Sequence, residues 1–420
     1  MHKEALFTST AGYGEMTFPQ GSVVSKAAKK AESIVSVPTS FGSATVAARV
    51  PEADLATWAH GLSHLATDHR YYDVTHVSLG AQFDHYYLLL KDHTGRTRAI
   101  QPFLLVRQDL VTGLPKAAKR AMDKIRQHFP STLMLRMLMV GCSAGEGHLV
   151  RDETTGSVEW TAQALSEALH PIARALKAAV VVMKDFPKVY RKALRPMRRA
   201  GYTRVPSMPG SRLDLDFKSF DEYLQNKLSH KTRKNLRSKY RKAAAGPEIK
   251  MEVIRDIEPH IDELFPLYRQ VVERSAYKFE ELTKPYFVEL SRRMSDRTLY
   301  FVWRSEGRAI AFSACAVHEG VLRDHYIGLD YPCALDRHLY FVTFRDIVMW
   351  GLENGCHSYY SAPLNYEPKY HLRHDLAPLD LYVRATWDWV NPVFRAIIPY
   401  LEPTRYDPII RKFANAHELW

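Results

Sequence analysis

Thr298-Leu-Tyr-Phe-Val-Trp-Arg304, Ser305-Glu306-Gly307, Arg308-Ala-Ile-Ala-Phe-Ser-Ala-Cys-Ala-Val-His318, Glu319-Gly320 and Val321-Leu-Arg-Asp-His-Tyr-Ile-Gly-Leu-Asp330 follow one another without interruption. The three apolar runs are rich in aromatic and β-branched residues and are separated by two- or three-residue turns. They predict an antiparallel meander. The same layout occurs in the first half. Residues 83–90 (Phe-Asp-His-Tyr-Tyr-Leu-Leu-Leu) predict a strand, Lys91-Asp92-His93-Thr94-Gly95 a turn, and residues 98–108 a returning strand that opens on Arg98-Ala99-Ile100, as the later one opens on Arg308-Ala309-Ile310. Pro102 inside the earlier strand predicts a bulge or an edge position.

Helical periodicity lies around these hairpins. Apolar Leu165, Leu169, Ile172 and Leu176 space a helix over residues 160–178, with a short buried strand at 178–183. Helices are expected over 261–274 and 286–294, the latter entered near Pro285, and over 339–353, stopped by Asn354-Gly355. Strand clusters and helices thus alternate twice. This fits one large α+β domain with two similar hairpins or an internal duplication, and the recurrence favours duplication.

The chain has 420 residues, 46% hydrophobic and 25% charged, enough for two cored domains. No run reaches the length of a membrane-spanning helix. Residues 1–36 are polar, lack the apolar block of a secretion signal, and are expected to form a flexible leader. The four cysteines, Cys142, Cys315, Cys333 and Cys356, are far apart with no Cys-x-x-Cys pair. That argues against a zinc site and, with the missing signal, for a cytoplasmic protein.

The net charge is +12, and residues 226–242 hold eight of those charges with no acid: Lys227, Lys231, Arg233, Lys234, Arg237, Lys239, Arg241 and Lys242. They predict a basic helix. Arg233, Arg237 and Arg241 line one face, Ser229 is placed to cap a second helix, and Gly246-Pro247 ends the run. So many like charges call for an anionic neighbour, whether a nucleotide or pantetheine phosphate, an acidic carrier protein, RNA or lipid headgroups, unless the segment is simply a solvated linker. Because the rest of the chain is only mildly basic, a general polyanion-binding surface does not follow and nucleic acid is not the leading partner.

Leu228-Ser-His-Lys-Thr-Arg-Lys-Asn-Leu-Arg237 preceded by Tyr223-Leu224, then Tyr326-Ile-Gly-Leu-Asp330, Gly355, Tyr359-Tyr360-Ser361 and Tyr366-Glu367-Pro368-Lys369, resembles a GNAT-type branch of bacterial acyltransferases. That branch is linked with cellulose and exopolysaccharide clusters and related to the Fem peptidoglycan ligases. The likeness is best over residues 211–384 and extends upstream to the hairpin at Tyr86 and to Val181-Val-Met-Lys-Asp-Phe-Pro187. It implies an α+β fold of two tandem GNAT-like (acyl-CoA N-acyltransferase) modules, each a mixed, mostly antiparallel sheet flanked by helices. The boundaries expected are a leader at 1–44, a degenerate module at 45–210, the acyltransferase module at 211–384 and an aromatic extension at 385–420, in which residues 391–401 suit an amphipathic helix packed across the second module.

The implied activity is N-acyl transfer from a thioester donor, acyl-CoA or acyl carrier protein as co-substrate, to the amine of a small molecule or envelope precursor, with no permanently bound cofactor and no metal. The alternatives are a Fem-like aminoacyl-tRNA-dependent ligase and a non-catalytic RNA- or partner-binding protein. One departure bears on the donor. Where GNAT enzymes carry a glycine turn around the pyrophosphate, this chain reads Tyr331-Pro-Cys-Ala-Leu-Asp-Arg337-His338. An anion at the helix start would then rely on Arg337 and His338.

Amide formation needs a base for the amine, donors for the oxyanion and an acid for the leaving group. Strand alternation puts Asp324, Tyr326 and Asp330 on one face and His325, Ile327 and Leu329 on the other, so His325 is expected in the core. Asp324 and Asp330 are candidate bases and Tyr326 a candidate acid, although either aspartate could equally be paired with an arginine. By the resemblance, the loop at Glu367 and Lys369 borders the site, giving Glu367 as base and Lys369 as a phosphate or carboxylate partner. With Arg233 and Arg237, these are the expected donor contacts. Gly141-Cys-Ser-Ala-Gly-Glu146-Gly-His148 lacks the Gly-Lys-Ser/Thr of a nucleotide loop and is expected to lie near the acceptor, with Glu146 and His148.

Overall fold

The computed structural model describes residues 35–109, 134–152, 156–275 and 279–420. Two mixed sheets flanked by helices form the frame. In the first, β2 (Gly42–Ala47), β3 (Asp84–Lys91), β4 (Thr97–Asp109) and β5 (Met134–Val140) run antiparallel, and β6 (Val180–Pro187) joins β5 in parallel. In the second, β9 (Ile249–Ile254), β10 (Thr298–Ser305), β11 (Arg308–His318) and β12 (Val321–Leu329) repeat the meander, and β13 (Ser358–Ser361) joins β12 in parallel. The crossovers contain α2 (Val158–Ala175) and α7 (Leu339–Glu353); α1 is His69–Leu79. The recurring hairpin is therefore one part of a repeated five-strand unit.

The strands that follow are exchanged. β7 (Thr203–Pro206) lies at the edge of the first sheet, but β8 (Gly210–Asp214) pairs with β13 in the second. Conversely, β14 (Asp375–Ala377) pairs with β8, and β15 (Leu379–Ala385) returns to the first sheet, between β6 and β7. The strand that ends each repeat is thus placed in the sheet of the other: β8 follows the first repeated unit and completes the second sheet, and β15 follows the second unit and completes the first. A boundary at 384 is thus corrected, because β15 belongs to the first sheet. The leader is corrected too. Residues 1–34 lie outside the described residues, but β1 (Val35–Thr39) and the start of β2 form the outer hairpin of the first sheet.

The unbroken apolar runs are explained by cover on both faces. Tyr300 and Val302 point into one core, and Leu299, Phe301 and Trp303 into another. Pro102 is neither bulged nor on an edge strand. Its missing N–H faces β5 where that strand's pairing ends, past Phe103–Val140, and its carbonyl accepts from Gly141 N at 2.9 Å. The basic segment forms two helices, as the Ser229 cap position indicates: α3 (Phe220–Lys227) and α4 (His230–Ala244), broken at Leu228-Ser229, with the Ser229 hydroxyl accepting from Thr232 N. The helix expected across the second module, α8 (Asn391–Leu401), packs instead on β7 and β15 of the first sheet; Ile410 and Phe413 beyond it reach Tyr366 and Leu376 of the second.

Asp380 on β15 is 1% exposed and accepts from Arg191 (2.6 and 2.9 Å) and Arg204 (2.7 Å). Asp380→Ala leaves both guanidiniums against a buried strand without their carboxylate, and the expected loss is about 3 kcal/mol in urea unfolding. The exchange of strands further predicts one cooperative transition in which near-ultraviolet dichroism and protection of backbone amides in both sheets are lost together.

Candidate active site

Where β12 and β13 part, a cleft of about 1560 Å³ opens through the second sheet toward the first. The two strands pair only from Val321–Ser358 to Asp324–Ser361, and Ala362 N closes the ladder on Asp324 O at 3.2 Å. From His325 to Leu329 no strand among the described residues lies along that edge of β12. The opposite edge stays bonded to β11, with a bulge: Ala314 faces Tyr326 and Cys315 faces Asp324, so His325 is the extra residue.

That bulge overturns the expected face assignment. Asp324 turns to one side of the sheet, where its Oδ1 accepts from Ser313 Oγ (3.0 Å) and its Oδ2 from Tyr359 OH (2.8 Å). Tyr326 turns to the other, among the rings of Tyr268, Tyr286 and Phe287. Both line the cleft, one on each side of the sheet. His325 also lines it. Burial pushes its pKa down to about 4, and its Nε2 has no hydrogen-bond partner.

The opposing wall comes from α5 (Ile261–Arg274) and the segment leading to α6 (Lys284–Arg293). α5 lies close on β12 because residue 328 is glycine; a Cβ there would meet the Phe312 ring at 2.3 Å and Tyr268 N at 2.8 Å. Glu280 follows. Tyr326 OH donates to its Oε1 at 3.4 Å, and burial pushes its pKa up to about 7, against the pull of Lys184. The position is fixed from the first half of the chain. Gln82 donates to Glu281 O (2.7 Å) and accepts from Glu281 N (3.0 Å), and Phe83 stacks on Phe279 with centroids 5.3 Å apart. Lys184 pairs with Asp185 at 2.6 Å; against burial, Asp185 and Glu280 hold its pKa above the usual value. Met137, Met139 and Val182 of the first sheet, and Leu381 and Val383 of β15, make this end apolar.

Glu280 is the residue that sequence reasoning missed, and nothing local separates it from Glu281. Of the 141–148 loop, Ala144, Gly145, Glu146 and His148 line the cleft, and Arg323 reaches Glu146 at 3.4 Å. Burial raises the Cys142 thiol to about 11, which makes it a poor nucleophile. Asp330 is not at the cleft; it is 6% exposed and paired with Arg308 at 2.7 Å. Glu367 is exposed on the rim. Lys369 lines the cleft but is 3% exposed. Its Nζ is held by the carbonyls of Ala362 and Leu364 (2.8 Å to the latter), and burial lowers its pKa to about 7. It fastens the turn at Leu364 and Asn365, both in the left-handed region, rather than presenting a charge to solvent.

The expected phosphate contacts are elsewhere. A short helix, Tyr331–Ala334, replaces the glycine turn. Arg337 donates to Ser305 Oγ and Ala243 O (2.9 Å each) and to Pro247 O, tying α4 to β10, and neither it nor His338 lines the cleft. Arg233 donates to Gln225 O (2.7 Å) and Leu228 O (3.0 Å), closing the carbonyl end of α3. With Arg237, Arg241, Lys234 and Arg345 it lines a separate groove of about 790 Å³. α4 comes near the rim through Lys239, whose pKa burial lowers to about 8 against the pull of the Glu367 carboxylate.

Residues 230–368 match the family model of the acetyltransferase (GNAT) domain. The match spans α4 to the Tyr366 loop and takes in both strands that part at the cleft. Among solved structures, L-PGS from Bacillus licheniformis is similar in fold, with 13% identity and a TM-score of 0.50 over 85% of this chain and 98% of that one. A tandem GNAT protein from the clavulanic acid biosynthesis pathway aligns over 80% and 96% at 10% identity and a TM-score of 0.43. A putative 8-amino-7-oxononanoate synthase 2 of Mycobacterium tuberculosis is 25% identical over 234 residues; these are 54% of this chain but only 30% of that protein's length. The fold is α+β, two mixed sheets flanked by helices, with the matched GNAT segment in the second. Among the described residues no group of side chains could hold a metal ion, and no helix is long and apolar enough to cross a membrane.

Arg233→Ala is expected to cost about 1–2 kcal/mol by freeing the α3 carbonyls, whereas Arg237→Ala, fully on the surface, is expected to stay within about 0.5 kcal/mol of the parent. Urea midpoints of the two variants check this.

Proposed function

We propose that this protein is a cytoplasmic N-acyltransferase that moves an acyl group from a thioester, acyl-CoA or acyl carrier protein, to the amine of a small molecule or cell-envelope precursor. The observation that carries this reading is the meeting, in one apolar cleft, of an unpaired edge of β12 with a carboxylate whose pKa burial has brought to about 7. Backbone N–H groups along residues 325–329 are the donors for the oxyanion, and Glu280 is the base.

Glu280 takes a proton from the ammonium form of the acceptor and releases it to solvent. The free amine nitrogen attacks the thioester carbonyl, and the C=O electron pair collects on oxygen against the β12 edge. As the tetrahedral intermediate collapses, the C–S bond breaks. The second nitrogen proton passes to Glu280, and Tyr326, hydrogen-bonded to Glu280, hands its own to the thiolate and is re-protonated from the carboxyl group. The products are an amide and a free thiol, with no covalent enzyme intermediate. Asp324, buried under Ser313 and Tyr359 on the other side of the sheet, holds β12 to β13 where they part, a positioning role.

With Arg337 and His338 turned away, the donor's anionic part is not gripped at the start of α7. The cationic groove on α3 and α4 offers a place for it, and suits a bulky acidic carrier better than a small nucleotide.

A panel of acyl-CoAs and acyl carrier proteins, assayed by release of free thiol, tests the reading; no release and no thermal protection by any donor would sink it. With an active donor, Glu280→Gln is expected to lower kcat by about 10²–10⁴-fold. Because the base works deprotonated, the parent rate falls as pH drops through about 7 and levels off above it. Gln82→Ala, which loosens only the backbone beside Glu280, is expected to reduce kcat by up to about 10²-fold while the donor KM is unchanged.

A further inference from the structure

α8 and the turn that enters it present a row of large apolar side chains outward. Trp389 is 81% exposed, Leu401 65%, Val393 and Tyr400 60%, and Ile397 47%. Residues 389, 393, 397 and 400–401 are spaced three or four apart and form one stripe. Phe394 and Ile398, on the inner side, pack against the first-sheet core. A helix held to the body by one face and bare on its larger apolar face is not stabilised by that exposure. In water the stripe costs free energy unless something covers it.

Beside it lies a basic surface of the first module. Residues 188–199 contain six Lys and Arg and no acid. Lys188 and Arg191 are taken up by Glu418 and Asp380, while Lys192, Arg195, Arg198 and Arg199 are exposed and form no ion pair among the described residues. The two features are fastened together. Asn391, at the start of α8, donates to Gly201 O at 3.0 Å, and Arg384 donates to Ala200 O at 2.7 Å, immediately after Arg199. Arg395 adds a further exposed cation on the helix itself. Tryptophan and tyrosine among aliphatic side chains, bordered by unpaired cations, match the chemistry of a bilayer interface: acyl tails for the stripe, anionic headgroups for the arginines.

We propose that α8 and the 192–199 segment form a docking surface for an anionic lipid bilayer. The surface leads to the cleft. The chain leaving α8 contributes Pro403, Asp407 and Ile409 to the cleft wall, so a docked helix holds that wall at the membrane. This inference rests on the exposed helix and its basic border and does not depend on the acyl-transfer reading.

The full chain is sedimented with vesicles of phosphatidylcholine alone and of phosphatidylcholine mixed with phosphatidylglycerol. Binding is expected to the mixed vesicles, to weaken as salt is raised, and to be far lower on phosphatidylcholine. Trp389→Ser with Ile397→Glu should reduce binding at least about tenfold without changing the melting temperature, because both side chains lie on the surface. Trp389→Ser alone serves if the double variant is unstable. Arg198→Ala with Arg199→Ala should weaken binding and flatten its salt dependence. Failure of the parent to bind anionic vesicles overturns the proposal, as does undiminished binding by the Trp389 and Ile397 variants. So does a parent dimer in sedimentation velocity that these substitutions dissociate, which would make a second copy the cover.

Discussion

Everything in this structure depends on the reciprocal exchange of β8 and β15. β8 follows the first repeated unit and lies inside the second sheet, and β15 follows the second unit and lies inside the first. A sheet strand contributes through backbone ladders on both sides and side chains on both faces, so neither half closes without the other. The exchange also fixes how the halves face each other. β15 brings Leu379, Leu381 and Val383 to the cleft, while Gly210 at the start of β8 lies on the same wall. The site is therefore a product of the interlock rather than of either sheet.

Within that frame, two local departures from regularity shape the candidate site. The early end of the β12–β13 ladder frees one backbone edge, and the bulge at His325 sends Asp324 and Tyr326 to opposite sides of the sheet. Without the bulge, the aspartate would share a wall with the tyrosine. With it, the aspartate is buried under hydroxyl donors, and the tyrosine is available to a carboxylate arriving from the helical side. Burial then sets the working range of that carboxylate. The same desolvation lowers Lys369 and His325, so both give up a proton more readily than they would in water.

Much of this was legible in the sequence because it is encoded locally. Arg308–His318, Ile261–Arg274, Leu339–Glu353 and Asn391–Leu401 are found at the residues read from periodicity and stop signals, and the repeated Arg-Ala-Ile strand start marks a repeated unit. Ser229 caps where its position indicated, and Asp330 took the arginine partner weighed for it. What escaped is non-local. Strand exchange leaves no trace in the hydrophobic pattern of Gly210–Asp214 or Leu379–Ala385. A bulge is one residue of slip between two strands and reverses a face assignment that alternation alone makes confidently. The arginines at 233 and 337 read as free cations but are consumed by carbonyls that only folding brings near. Glu280 carries no signal of its own; its surroundings are assembled from Gln82, Lys184 and Tyr326.

The Gln82 amide holds the backbone of Glu281 from both its N–H and its C=O, across the divide between the two modules. The first module, which lies outside the stretch matched to a known domain, is on this account a co-owner of the reaction centre and not a worn-out duplicate retained for bulk. Selection on turnover would then act on a glutamine in one copy to keep a glutamate in the other aligned, and the two copies would be free to diverge in everything except the parts by which they grip each other.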